Sequence, residues 1–299
     1  MTYQTELNAH IQANVTTALL EDLRLLSRKR HGEKPAEFLS LDITAKLIPR
    51  EKMGKATIIT RQQAVLCGQQ WVDACFKTLD PDCTITWLAQ DGDHVKENQV
   101  LCEISGNARA MLSAERSALN FLQTLSSTAT ATQKYVTLVT GTQAKILDTR
   151  KTLPGMRVAQ KYAVKTGGGH NQRTALYDGI LIKENHIMAA GGIHPVLAEA
   201  KRIAPEGMSI QIEVESIEQL REALEAGAKL ILLDNFNLDM MREAVKFNAG
   251  RAELEASGGV NIDTVRAIAE TGVDRISIGA LTKDIQSIDL SMRFQMNPA

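Results

Sequence analysis

The alternation of apolar and polar positions changes rhythm near residue 144. Before it, residues 7–26 place Ile11, Val15, Ala18, Leu19, Leu23 and Leu26 at helical spacing, which predicts an amphipathic helix. Residues 56–61 read as a strand ending in Arg61, and residues 64–78, with Trp71 and Phe76, as a helix. Residues 84–104 show short β patterns broken by Asp91-Gly92 and Glu97-Asn98, both turn chemistries. Residues 110–125 form a further helix, with Leu112, Leu119 and Leu122 on its buried face beside the charged Glu115 and Arg116.

After residue 144 strands and helices alternate. Strands are predicted at 145–149, 179–183, 209–214, 229–234, 252–257 and 274–278, with helices at 195–203, 217–226, 238–247 and 263–271. Continuous apolar strands alternating with amphipathic helices imply a parallel sheet buried on both faces, and the regular spacing favours closure into a barrel. Six strands fall short of the eight of a full barrel. Either a seventh lies within the loop 166–171 or the barrel is incomplete.

Each of these strands stops at residues able to do chemistry. The first ends at Asp148, Thr149, Arg150 and Lys151, where burial should give way to charge, and Pro154-Gly155 then opens a helix that closes on Gly167, Gly168 and Gly169. His170, Gln172 and Arg173 follow. The other strand ends are Lys183 with Glu184 and Asn185, Glu213 with Glu215, Asp234 with Asn235, Ser257-Gly258-Gly259 and Gly279-Ala280. In a β/α barrel such ends share one rim, where ligands bind, and a late glycine-rich pair leading into helices is a usual place for phosphate. Arginine suits planar, bidentate capture of carboxylate or phosphate. Glu213 and Asp234 suit sugar hydroxyls or Mg²⁺, a hard cation that keeps waters and substrate phosphates among its ligands.

Composition narrows the partner. The 299 residues are 44% hydrophobic, enough for one large or two medium cores, and the formal net charge of -1 exerts no overall pull toward nucleic acid or membrane. The cations matter through clustering, and the partner they imply is small. Cys67, Cys75, Cys83 and Cys102 make no C-x-x-C pair, so they read as reduced core thiols, and with neither a leader-like N-terminus nor a membrane-length apolar run the expectation is a cytoplasmic protein. The basic run 28–35 reads as a solvated loop, and the hammerhead-like pattern at 84–104 lacks the lysine that a carrier domain would modify.

DTRKTLPG (148–155), QKYAVKTGGG (160–169), LIKENHI (181–187), IEVES (212–216), LILLDNF (230–236), ASGG (256–259) and IGALTK (278–283) together closely resemble the quinolinate phosphoribosyltransferases, also called nicotinate-nucleotide pyrophosphorylases (carboxylating). The likeness extends to EDL (21–23), DIT (42–44), ITR (59–61), ERSALNFL (115–122) and the tail pattern at 289–294, so it spans nearly the whole chain.

The resemblance implies condensation of quinolinate with phosphoribosyl pyrophosphate to nicotinate mononucleotide, CO₂ and pyrophosphate in NAD biosynthesis, with Mg²⁺ and no prosthetic group. It implies an N-terminal α/β sandwich, residues 1–125 joined by the tail 281–299, and an open, seven-stranded α/β barrel at 126–280. It also implies a homodimer or larger assembly in which Arg61 reaches the partner's site. By the same resemblance Arg116, Arg150, Lys151, Arg173 and Lys183 match the quinolinate- and phosphate-binding cations, and Glu213 and Asp234 the ribose- and metal-side carboxylates. Ser257, Gly258, Gly259, Gly279 and Ala280 match the 5′-phosphate cradle, and Thr149 stands beside the cations on the first strand. Relatives commonly carry His-Arg where this chain has Gln172-Arg173, and an amide supplies neither charge nor proton, though it still donates a hydrogen bond. Residues 24–41 are longer than the linker usual there.

Competing classes are a sister phosphoribosyltransferase, as in homologues associated with molybdenum transport, a Schiff-base lyase using Lys151 or Lys183, and a phosphate-ligand sensor without turnover.

Overall fold

The computed structural model describes residues 3–23 and 34–295. Leu26 and most of the basic run 28–35 therefore lie outside the described residues. The chain forms two compact units, one of the residues up to Thr130 with Pro154–Gly167 and the chain from Ile285, the other of Ala131–Leu153 and Gly168–Asp284.

The first unit begins with α1 (Tyr3–Leu23), whose Leu7, Ile11, Val15 and Leu19 repeat every four residues and are buried. It continues through β1 (Met53–Thr60), β2 (Ala64–Val65), α2 (Gln69–Leu79), β3 (Thr84–Trp87), β4 (His94–Val95), β5 (Val100–Asn107) and α3 (Ala108–Leu138), whose end from Ala131 belongs to the second unit. The helix expected from residue 64 starts only at Gln69. Ala64 and Val65 instead pair with Val95 and His94, and Gly68 (φ 122°) turns the chain where Asp91 Oδ1 accepts the Gly68 and Gln69 N–H groups. The two anticipated turns are real, with Gly92 and Asn98 at positive φ. An antiparallel sheet of order β12-β1-β5-β3 backs the helices, β12 (Leu290–Gln295) returning from the end of the chain to pair with β1. α3 outruns its expected end at residue 125. Met111, Ala114, Ala118, Leu119 and Leu122 form its buried stripe, and Leu112, expected inside, is 37% exposed because it lies one residue off that stripe.

In the second unit the strands are β6 (Lys145–Leu147), β7 (Ile180–Ile182), β8 (Ile210–Val214), β9 (Leu230–Asp234), β10 (Glu253–Ser257) and β11 (Arg275–Ser277), all parallel in the order β6-β11-β10-β9-β8-β7. First and last strands pair, so the sheet curls round and stays open only between β6 and β7. The anticipated seventh strand is reduced to one parallel bridge, Leu147 to His170, on the free edge of β6. The helices are α4 (Arg157–Thr166, part of the first unit), α5 (Glu184–Ala190), α6 (Ile193–Ile203), α7 (Ile217–Glu225), α8 (Leu238–Asn248), α9 (Val265–Ala269) and α10 (Ala280–Lys283). α4 begins at Arg157 because Gly155 (φ 75°) holds the preceding turn in the left-handed region. α9 is shorter than its apolar pattern, since Asn261 Oδ1 accepts the Asp263 and Thr264 N–H groups and keeps that stretch in a turn.

Candidate active site

The C-terminal ends of the six parallel strands surround one pocket of about 820 Å³. β6 delivers Thr149, Arg150 and Lys151 to its wall, and β7 delivers Lys183. Glu213 of β8 and Asp234 of β9 come from the middle strands, Ser257, Gly258 and Gly259 from β10, and Gly279 and Ala280 from β11. Arg173, after the single-bridge segment, also lines it. These twelve residues, all named from strand-end position and motif, are brought together by the curl of the sheet.

Small side chains make the fit possible. A Cβ on Gly279 would press on the Lys151 Cδ at 3.2 Å, so glycine there lets the lysine stem cross the rim. Thr149 Oγ1 accepts the Lys151 N–H (3.0 Å), and the Thr282 hydroxyl donates to the Lys151 carbonyl (2.8 Å), which holds this loop in one shape.

Charge in the pocket is arranged in opposition. Lys183 Nζ lies 2.9 Å from Glu213 Oε2, and that bond holds the ammonium pKa above its ordinary value. Burial raises the Asp234 carboxyl, with Lys183 opposing the shift. Arg173 has its pKa lowered, first by burial and then by repulsion from Arg150, and its Nη1 donates to the Gly179 carbonyl at 3.0 Å. Two guanidinium groups that repel each other across a concave wall gain most from an anion placed between them. Glu213 and Asp234 each have a partner within the pocket. Glu213 is occupied by Lys183, Asp234 Oδ2 accepts the Asn235 amide (2.9 Å), and among the described residues no three His, Cys, Asp or Glu side chains converge as metal ligands.

One expectation changes. Asp148, read as a rim charge, is fully buried, because its Oδ1 accepts the Gln172 N–H (2.9 Å) and fastens the single-bridge segment to the end of β6. Arg116 on α3 and Arg61 after β1 are exposed residues of the first unit. Gln172, where a histidine was the usual residue, donates its amide to both oxygens of Glu255 and to Gln211 Oε1, so it acts as a hydrogen-bond donor beneath the pocket.

Sequence reasoning placed Asn235 at a strand end without a role and missed Glu255 and Lys283; all three also line the pocket. For Glu255 a signal existed, a carboxylate flanked by Leu254 and Ala256 in the interior of a strand. Lys283 closed a quoted motif without a role and pairs here with Asp284 at 2.6 Å.

Residues 42–126 match the family model described as Quinolinate phosphoribosyl transferase, N-terminal domain, and residues 128–293 match its C-terminal domain. A probable nicotinate-nucleotide pyrophosphorylase [carboxylating] of Bacillus subtilis is 41% identical over 251 residues, covering 84% of this chain and 87% of that protein. The nicotinate-nucleotide pyrophosphorylase [carboxylating] of Mycobacterium leprae is 38% identical, covering 84% and 90%. Among solved structures, the nicotinate-nucleotide pyrophosphorylase from Francisella tularensis superposes with a TM-score of 0.88 at 42% identity, covering 96% of this chain and 97% of that one.

Proposed function

The chain belongs to the quinolinate phosphoribosyltransferase family, and from that premise we propose how the rim residues divide the work of its reaction. The enzyme transfers phosphoribosyl from phosphoribosyl pyrophosphate to quinolinate with decarboxylation, giving nicotinate mononucleotide, CO₂ and pyrophosphate in NAD biosynthesis. The observation that carries the assignment of roles is the single pocket in which Arg150, Lys151, Arg173 and Lys183 face Glu213, Asp234 and the glycine turns.

Arg150 and Arg173, mutually repelling, take the two adjacent carboxylates of quinolinate. Asp234 and Glu213 take ribose hydroxyls, and Ser257 to Gly259 with Gly279 and Ala280 take the 5′-phosphate through backbone N–H groups. The glycosidic bond to pyrophosphate breaks as the ring nitrogen closes on C1, so positive charge develops on the ribose and negative charge on the leaving group. Lys151 and Lys183 stabilise the latter, and positioning lowers the barrier for the former. Once ribosylated, the ring nitrogen is cationic. The C2 carboxylate then leaves as CO₂, its bonding pair stays on C2 beside that cation, and a proton from solvent fills the position.

Mg²⁺ would arrive on the pyrophosphate of the substrate, where Glu213 and Asp234 are the carboxylates that would help hold it and its charge would offset that of the leaving group. Arg116 and Arg61 are assigned to quinolinate in an assembled homodimer, Arg61 serving the partner's pocket. Its exposed position after β1 and the family membership support that reading. Among the described residues no helix is long and apolar enough to cross a membrane. All four cysteines are buried and free, which supports a reducing, cytoplasmic setting.

The test is acceptor choice. With phosphoribosyl pyrophosphate and Mg²⁺, quinolinate should give nicotinate mononucleotide, and nicotinate, which has one carboxylate, should give none. Equal turnover of both would remove the two-arginine clamp.

A further inference from the structure

Asn235 stands immediately after Asp234 and has no part in the roles assigned above. It is one of only three non-glycine residues at positive φ among the described residues, at 56°. That conformation is unfavourable for most side chains, is best tolerated by asparagine, and persists where the surroundings hold it.

Three contacts hold it. Its backbone N–H donates to the Ser257 carbonyl (3.0 Å), tying the end of β9 to the end of β10, where Ser257 and Asp234 are already paired in register. Its side-chain Nδ2 donates to Asp234 Oδ2 (2.9 Å). Its Oδ1 occupies the space that a Cβ on Gly258 would need, and Gly258 itself sits at φ 97°. One side chain thus touches the rim carboxylate with one end and the glycine turn with the other. Removing either contact frees the other to move.

We propose that Asn235 is the positioning residue that sets the spacing between the carboxylate end and the glycine-turn end of the phosphoribosyl site, and so matches the pocket to a ribose bearing a 5′-phosphate. The inference rests on the phosphoribosyl reading above and adds to it a residue that need not touch substrate. A ligand bound only by its hydroxyls or only by its phosphate is indifferent to that spacing. One bound by both is not, because an ångström of misplacement at either end spoils the other.

The consequence is selective. Asn235→Gly keeps the left-handed backbone and removes both side-chain contacts. Asn235→Asp keeps the shape but turns a donor toward Asp234 into an acceptor. Quinolinate binds elsewhere on the rim and should not register either change.

The experiment measures KM for each substrate, inhibition by ribose 5-phosphate and by inorganic phosphate, and the thermal midpoint for the full-length protein and both variants. Expected for Asn235→Gly is a rise on the order of tenfold in the KM for phosphoribosyl pyrophosphate and in the inhibition constant of ribose 5-phosphate, the size of one hydrogen bond to a charged group. The Asp variant should be worse. The quinolinate KM, inorganic phosphate binding and the thermal midpoint should stay near wild type. Unchanged ribose 5-phosphate binding in both variants would overturn the inference, as would a parallel rise in the quinolinate KM or in the phosphate constant. Failure of the underlying reading looks different, since wild-type protein would then lack quinolinate-dependent turnover. In that case direct titration of ribose 5-phosphate into wild type and Asn235→Gly still decides, and no difference between them would sink the proposal.

Discussion

Both ends of the six-stranded sheet carry charged residues around a crevice, of about 820 Å³ at the strand C-termini and about 390 Å³ at the N-termini. They commit that charge differently. At the N-terminal end Lys229 Nζ donates to the Arg251 carbonyl, Arg251 Nη2 to the Phe247 carbonyl (2.8 Å), and Asp274 Oδ2 accepts the Leu254 N–H (2.8 Å). These side chains tie off backbone at strand starts. At the C-terminal end Lys183 meets Glu213, two guanidinium groups repel, and Asp234 carries a raised pKa. The lesson is that one end of the sheet spends charge on the fold, and the other keeps it in arrangements that a ligand improves.

Substitutions sharpen that contrast. The largest effect is expected at Lys183→Ala, where loss of a group stabilising the leaving pyrophosphate should lower kcat by about 10²–10³ or more. Its thermal midpoint should stay within a few degrees, and an unfolded variant would make Lys183 a structural residue. Complementation comes next. Mixed Arg61→Ala and Lys183→Ala subunits should recover about a quarter of wild-type activity, since in a two-fold dimer half the random pairs hold one complete site. No recovery on mixing would rule out a shared site.

Beneath the pocket the two regimes meet. Glu255 is fully buried and accepts from Gln172, Gln211 (3.0 Å) and Arg275 Nε (3.3 Å). Glu255→Ala leaves those donors without their acceptor and should cost about 3–5 kcal/mol by denaturant titration, the range for breaking a buried pair. A loss under about 1 kcal/mol would show the cluster to be slack.

The smallest effect is a gain. The folded-state pKa of Asp234 is raised above its ordinary value of 3.8, chiefly by burial, so folding favours its protonated form. Its contribution to stability is therefore fully present below pH 3.8 and lost as pH rises through the folded pKa. Asp234→Asn should be inactive yet slightly more heat-stable than wild type at pH 7, the advantage fading near pH 3.8. Lower stability at pH 7 would mean that this carboxylate serves the fold.

Much of this contrast was legible in the sequence, unevenly. All six strands of the second unit and the charged or glycine-rich residues at their ends followed from apolar runs that stop at such residues, because a parallel strand buried on both faces leaves its chemistry at its end, while Thr149 and Arg173 came from the motifs around them. Asp148 misled for the same reason: a carboxylate at a strand end looks exposed until the Gln172 N–H is seen to fill it. The late start of α2 depended on Asp91, more than twenty residues away in the chain, which no local pattern carries. Asn235 was seen at a strand end but without a role, because that role lies in a backbone angle and in the space above Gly258, and residue type alone encodes neither.

The most direct measurement of what the charged rim is for is product stoichiometry with carboxyl-labelled quinolinate, phosphoribosyl pyrophosphate and Mg²⁺. The expected result is one CO₂ and one pyrophosphate for each nicotinate mononucleotide, with neither released when quinolinate is omitted. Pyrophosphate release without quinolinate, or ribosylated product that keeps both carboxylates, would contradict it.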